Sequence, residues 1–229
     1  MERKPVIAID GPSGAGKSTL GKLLAKKYSL SYIDTGAMYR ALALRSFDAG
    51  IDIEDNKALE RFCSVVEMVY EEKNGKLKII IDEIDYTDKI RTQRAGKLSS
   101  IISTKKPVRD YLVGYQKKLG EAGGVVMEGR DIGTAVLPDA DLKFYLDASH
   151  ETRGKRRFSE LKQSNIEVNL ADIMASEKER DARDLTRILS PLCKASDSIY
   201  IDSGNFTISE VLNKMVAFVN KVFANKVVN

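Results

Sequence analysis

Val6-Ile7-Ala8-Ile9-Asp10-Gly11-Pro12-Ser13-Gly14-Ala15-Gly16-Lys17-Ser18-Thr19 is the stretch on which the fold turns. Its four leading apolar residues are unbroken, and they stop at Asp10 and a glycine-rich turn. That pattern predicts a strand buried on both faces, as in a parallel sheet. Gly11 to Ser18 matches the spacing G-x-x-x-x-G-K-[ST] in full, and Leu20, Leu23 and Leu24 then recur among lysines at helical spacing to about Lys27. Strand, glycine turn and helix together make a cradle for phosphate. Glycines let successive N–H groups point into one concavity, and the helix adds the positive end of its dipole. Gly11, Pro12, Ser13, Gly14, Ala15, Gly16, Lys17, Ser18 and Thr19 are therefore the candidate donor-nucleotide residues. Lys17 supplies a mobile charge to the outer phosphates, and the Ser18 hydroxyl suits Mg²⁺ carried on a nucleotide such as ATP. A glycine-rich turn without a ligand is the plain alternative.

Outward from the cradle, short apolar runs alternate with helical patterns. Tyr32-Ile33 predicts a second strand, and Ala37 to about Asp48 a helix stopped by Gly50. Residues 56 to 64 predict a short helix. Val66 to Glu71 and Leu77 to Ile81 alternate apolar with polar residues around Asn74-Gly75, the strongest local signal for a two-residue hairpin. With a third short strand at Ile84 to Tyr86, they predict an antiparallel insert near 64–92. Residues 93 to 120 read as mainly helical. Val125-Val126-Met127 and Leu142 to Leu146 read as further buried strands, 151 to 161 and 172 to 188 as charged helices, 198 to 201 as a last strand and 208 to 223 as a closing amphipathic helix. Such alternation predicts an α/β fold of three layers, a parallel sheet between helices, organised as one domain over 1–229 with a small antiparallel insert.

The composition narrows the function classes. The chain has 229 residues, with 37 Lys+Arg against 33 Asp+Glu for a net charge of +4. That surplus is ordinary for a surface and equally suits anionic small ligands; strong nucleic-acid binders concentrate more. Two cysteines and one histidine, Cys63, Cys193 and His150, cannot build a zinc cluster or disulfide framework. A reducing, cytoplasmic setting, no membrane span and a monomer are expected.

An enzyme that used the cradle to pass a phosphoryl group to a second nucleotide would have to hold two clusters of negative charge close together, and arginine is the preferred tool because its planar guanidinium grips phosphate bidentately. Arg40 follows Asp34-Thr35-Gly36-Ala37-Met38-Tyr39 just past the second strand, and Arg130-Asp131 close the strand at 125–127, where ligands of open α/β sheets bind. Arg180, Asp184 and Arg187 stand at i, i+4 and i+7 and are expected on one helix face. Arg153, Arg156 and Arg157 cluster where a lid could close. The bland readings are an exposed Arg180–Asp184 pair worth a few tenths of a kcal/mol and a solvated face at 153–157. Charge at the end of a buried strand is harder to dismiss, since it is costly without a partner.

Five blocks, 9–19, Asp34 to Arg40, Ile90-Arg91-Thr92-Gln93, Glu128-Gly129-Arg130-Asp131-Ile132-Gly133-Thr134 and Arg180 to Arg187, make the chain resemble the bacterial cytidylate kinases. These are P-loop nucleoside monophosphate kinases. The resemblance implies transfer of the ATP γ-phosphoryl group to CMP or dCMP with Mg²⁺, a monophosphate-binding region over 35–110 and a lid over 151–168. It implies that Thr35, Arg40 and Arg130 hold the acceptor phosphate, that Ser100, Arg109 and Asp131 read the base, that Arg180 and Asp184 face the sugar and Arg187 the phosphates. Lys17, Arg130, Arg153, Arg157 and Arg187 are the implied catalytic set, with Arg156 beside the lid pair. Cytosine has an amino donor for a carboxylate and acceptors for an arginine, whereas uracil would clash with both. Two positions depart from the family: Thr35 stands for Ser and Glu128 for Asp. Another acceptor such as UMP, AMP or shikimate is the nearest rival. A GTPase switch lacks its Asn-Lys-x-Asp, and an ATP-using nucleic-acid binder lacks a basic aromatic patch.

Overall fold

The computed structural model describes residues 4–73, 76–163 and 167–226. The chain divides into two compact units, residues 1–31 with 123–229, and residues 32–122. The expected 35–110 region falls in the second, and the expected lid, 151–168, in the first; residues 164–166 of that lid lie outside the described residues.

The first unit is built on β1 (Val6–Asp10). All five of its residues are buried because it lies in the middle of the sheet, in parallel register with β6 (Val125–Gly129) on one side and β7 (Leu142–Asp147) on the other. β8 (Ile199–Asp202) pairs parallel beyond β7. These strands run in the order β6-β1-β7-β8, and Ser31, the first residue of β2 (Ser31–Asp34), donates its N–H to the Gly124 carbonyl. α1 (Lys17–Tyr28) and α8 (Ile208–Lys226) lie together, and Tyr28 donates its hydroxyl to Asn220 at 2.6 Å. Ile7, Ile9, Leu24, Met127, Phe144, Leu146, Met215 and Val219 are almost wholly buried. Each contributes about 1.5–3 kcal/mol of hydrophobic burial. α6 (His150–Gln163) and α7 (Leu170–Thr186) pack on each other.

Arg187 keeps to the face of α7 that carries Arg180 and Asp184, since its φ of −60° is helical and its N–H still bonds the Arg183 carbonyl at 3.0 Å. The chain leaves the helix only after it, where ψ turns to 139° and the Leu192 N–H closes the end on the Asp184 carbonyl at 2.7 Å.

In the second unit, α2 (Thr35–Asp48) packs on α4 (Gln93–Ile102), and α3 (Asn56–Val65) on α5 (Lys106–Glu121). Asp34, Asp55 and Thr92 cap α2, α3 and α4 by accepting first-turn N–H groups. The antiparallel insert is present as β3 (Met68–Lys73), β4 (Lys76–Ile81) and β5 (Ile84–Asp85). Met68, Tyr70, Ile79 and Ile81 form its buried face, as the alternation predicts. Val66 does not join β3; it closes α3 instead, its N–H bonded to the Phe62 carbonyl. The Asn74-Gly75 link lies outside the described residues. The turn between β4 and β5 is made without glycine: Asp82 and Glu83 both have positive φ, at 48° and 65°. Asp82 tolerates this because its carboxylate is held by Arg45 at 2.8 Å and the Glu67 N–H at 3.0 Å.

Candidate active site

Gly11 is where β1 gives way to the cradle. A Cβ there would lie 1.9 Å from the Leu146 carbonyl oxygen, and φ is +144°, so both space and backbone demand glycine. Four carbonyls of the following turn accept hydrogen bonds from side chains. Lys17 Nζ donates to Pro12 at 2.6 Å, Arg153 to Ser13 at 3.2 Å, Arg156 to Gly14 at 3.4 Å and the Ser203 hydroxyl to Ala15 at 2.9 Å. With its acceptors so occupied, the turn is left to meet an anion with N–H groups. Ser18 and Thr19 are exposed in the first turn of α1, where the helix dipole favours negative charge. A cavity of about 460 Å³ adjoins the turn, lined by Gly16, Leu20, Arg156, Phe206, Ile208 and Val211 among others. Its mostly apolar wall suits a flat heterocycle.

Burial pushes the Lys17 ammonium down to about 7, and Arg130 adds to this while Glu128 opposes it. A lysine lowered on folding binds fewer protons than the unfolded chain between about 7 and 10.5, so the cost of burying its charge is relieved and stability rises as pH climbs through that window. Phosphate reverses the balance. At pH 8, ATP binding should take up about one proton, read from calorimetry in buffers of different ionisation enthalpy. A Lys17→Met variant should show no such uptake; equal uptake in both proteins would show that Lys17 is not the acceptor.

Beyond β6 stands a buried cluster of alternating charge. Arg130 Nε donates to Asp184 at 2.8 Å, and Arg187 to Asp131 at 3.0 Å. Asp131 and Arg187 are both nearly inaccessible to solvent, as is Asp184. Burial alone would raise the Asp184 carboxyl; Arg130, Arg180 and Arg187 override it and hold the group below its usual range. Arg180 thus joins the cluster electrostatically. The plain reading of an exposed Arg180–Asp184 pair fails, since Asp184 is 4% exposed and its hydrogen-bonded partner is Arg130.

The expected lid arginines separate. Arg153 is buried, with Nε on the Ala148 carbonyl at 2.9 Å and Nη1 on Asp181 at 2.7 Å as well as on Ser13, so its guanidinium braces the cradle. Arg156 braces Ser203 and Gly14. Arg157 lies on the outer face of α6, paired with Glu160 at 3.1 Å.

The second unit holds the other expected residues. Thr35 is buried at the start of α2, and Arg40 one turn on pairs with Asp34 at 3.0 Å. Ser100 on α4 and Arg109 on α5 are buried, and Arg109 donates to the Tyr39 hydroxyl at 3.4 Å. Periodicity missed the bracing residues Ser203, Asp181 and Asp10. Their only sequence signal is position: Asp10 ends a strand, and Asp181 repeats the Arg-Asp pairing of 183–184.

A lysine cradle for polyphosphate beside arginines held ready in buried ion pairs defines a phosphotransferase of the kinase class. Comparison with known proteins agrees. The family model described as cytidylate kinase matches residues 7–221. The chain is 44% identical over 219 residues to the cytidylate kinase of Syntrophotalea carbinolica, covering 96% of this chain and 93% of that one. It is 45% identical to that of Caldicellulosiruptor saccharolyticus, covering 98% and 100%. Among solved structures, an uncharacterized protein from Eubacterium ventriosum shares the fold at TM-score 0.52 and 13% identity, covering 95% of this chain and 99% of that one. The chain belongs to the cytidylate kinase family.

Proposed function

We propose that this enzyme transfers the γ-phosphoryl group of ATP to CMP, and to dCMP, giving CDP or dCDP. The observation that carries the reading is the Arg130–Asp184 and Arg187–Asp131 cluster at the end of the strand beside the cradle. Two guanidinium groups there are already desolvated and oriented, so little reorganisation remains when an anionic phosphate arrives.

In this reading Gly11 to Thr19 hold the triphosphate and the cavity beside Phe206 takes the adenine. Lys17 and Arg130 neutralise charge as it shifts between donor and acceptor oxygens. Arg130 and Arg187, with Thr35 and Arg40, grip the acceptor phosphate; Asp131, Ser100 and Arg109 read the cytosine; Arg180 and Asp184 meet the sugar. The acceptor phosphate is itself an anionic nucleophile, so no side-chain general base is required. The Ser18 hydroxyl and the Glu128 carboxylate are the hard oxygens that suit Mg²⁺, which when bound would offset charge on the nucleotide phosphates. Arg157 is the lid arginine that can still swing, since among the described residues its guanidinium pairs with the exposed Glu160 on the same helix. Arg153 contributes through the cradle it braces.

Among the described residues no helix is long and apolar enough to cross a membrane. The free cysteines Cys63 and Cys193 fit a reducing cytoplasm, and the reading asks no second subunit for a catalytic group.

The test is an acceptor panel. With ATP as donor and ADP release coupled to NADH oxidation, CMP and dCMP should turn over at least about a hundredfold more efficiently than UMP, AMP or shikimate, because a wrong base leaves buried polar groups unpaired. Preference for any of the other three would replace the reading.

A further inference from the structure

Asp10 is the last residue of the central strand, next to the first glycine of the cradle, and the reaction outlined above gives it no part. Its carboxylate is nonetheless fully committed. Oδ1 accepts the Ile132 N–H at 2.8 Å and Oδ2 accepts the Gly133 N–H at 2.7 Å. The side chain is 4% exposed, and burial pushes its carboxyl up to about 6, opposed by those same two hydrogen bonds. A buried carboxylate is costly, and two successive backbone N–H groups aimed at its two oxygens are what make it tolerable here.

The segment it holds is unusual. Ile132–Val136 form a single wide helical turn in which the Val136 N–H reaches the Asp131 carbonyl and the Leu137 N–H the Ile132 carbonyl. Such isolated wide turns recur at functional sites. Here the turn follows directly on Arg130 and Asp131. The fit is close: a Cβ on Gly133 would lie 3.0 Å from Lys143 Cδ and 3.3 Å from Asp10 Oδ2. Lys143 is itself pinned by Asp197 at 2.7 Å, so it has little room to retreat.

We infer that Asp10 is a positioning residue for CMP: by clamping the two amides after Asp131 it sets the register of Arg130 and Asp131 against the cradle that begins one residue later. One carboxylate thereby spans the donor end of β1 and the acceptor end of β6. The alternative, a purely structural anchor, predicts lost stability without selective loss toward either substrate. The inference rests on the proposed roles of Arg130 and Asp131.

Asp10→Asn preserves shape but turns an amide NH₂ toward one of the two N–H groups. It should raise the KM for CMP about tenfold while the KM for ATP stays within about threefold, as expected for the loss of one charge-assisted hydrogen bond. It should also narrow the preference for CMP over UMP. Gly133→Ala presses on the same contact from the other side and should give the same split, so a poorly folding Asp10 variant does not end the test. Asp131→Ala is measured alongside. If Asp131→Ala loses base preference and Asp10→Asn and Gly133→Ala leave the CMP KM unchanged, the positioning role is wrong and the base reading stands. If Asp131→Ala keeps full preference for CMP, the base reading is wrong; a rise in the CMP KM alone in Asp10→Asn then still supports positioning of Arg130, and its absence overturns it. Equal rises in both substrate KM values would also overturn it, since they would mark a general loosening.

Discussion

Lys17→Ala is expected to lower kcat about a thousandfold while the protein stays folded, in line with the loss of a preorganised group that meets developing charge. The structure explains both halves of the expectation. Lys17 is 6% exposed, sits among Arg130, Glu128, Arg180 and Asp10, and donates a hydrogen bond to the Pro12 carbonyl. Removing the ammonium leaves that one carbonyl in a turn already braced by Arg153, Arg156 and Ser203, so the backbone should keep its shape. The same removal relieves a buried like-charge contact with Arg130 that pushes the lysine down. Thermal unfolding should therefore move little, and in either direction. Steady-state turnover with saturating ATP and CMP, beside a melting curve, is the check. A variant that keeps a tenth or more of wild-type turnover would remove Lys17 from the chemistry.

Arg130→Ala should be as damaging to activity and much worse for the fold. Asp184 would be left buried with its 2.8 Å partner gone, and breaking a buried pair by deleting one member costs about 3–5 kcal/mol. Arg187 and Arg180 would remain near Asp184 and recover part of that loss. For the reaction, kcat/KM for CMP should fall about a thousandfold, because the group meets charge in a site that excludes water. Arg130→Lys should recover stability more than activity: it restores a charge for Asp184, but an ammonium cannot present the planar fork to phosphate. A loss of melting temperature in Arg130→Ala with kcat/KM for CMP within about threefold of wild type would mean that the Arg130–Asp184 pair is structural only.

The legible parts of this chain are those whose cause is local. The apolar run at 6–9, the glycine spacing at 11–16 and the leucines of α1 each state their structure within a few residues. So do the alternating faces of β3 and β4, where Met68, Tyr70, Ile79 and Ile81 point to one core. Boundaries were less legible where a tertiary contact set them. Val66 has strand chemistry, yet its N–H completes α3. Asp82-Glu83 lacks the glycine that marks a tight turn, yet both residues take positive φ, with Arg45 and the Glu67 amide holding the Asp82 carboxylate. The end of α7 is the case with functional weight, because helical periodicity places Arg187 near Asp184 but only the tertiary structure shows its guanidinium bonded to Asp131.

By itself, the sequence determined that a phosphate cradle stands at the end of a buried parallel strand and that arginines follow other strand ends, since glycine spacing, hydrophobic period and residue chemistry act over a turn or two. Tertiary structure alone decided which charge answers which. Asp10 reaches the amides of Ile132 and Gly133, Arg130 takes Asp184 rather than a neighbour on its own segment, and Arg153 serves the cradle. Those pairings join residues far apart along the chain, and no local pattern encodes them. They exist because parallel strands end side by side and because a charge buried there is stable only where the fold brings its counter-charge within hydrogen-bonding distance.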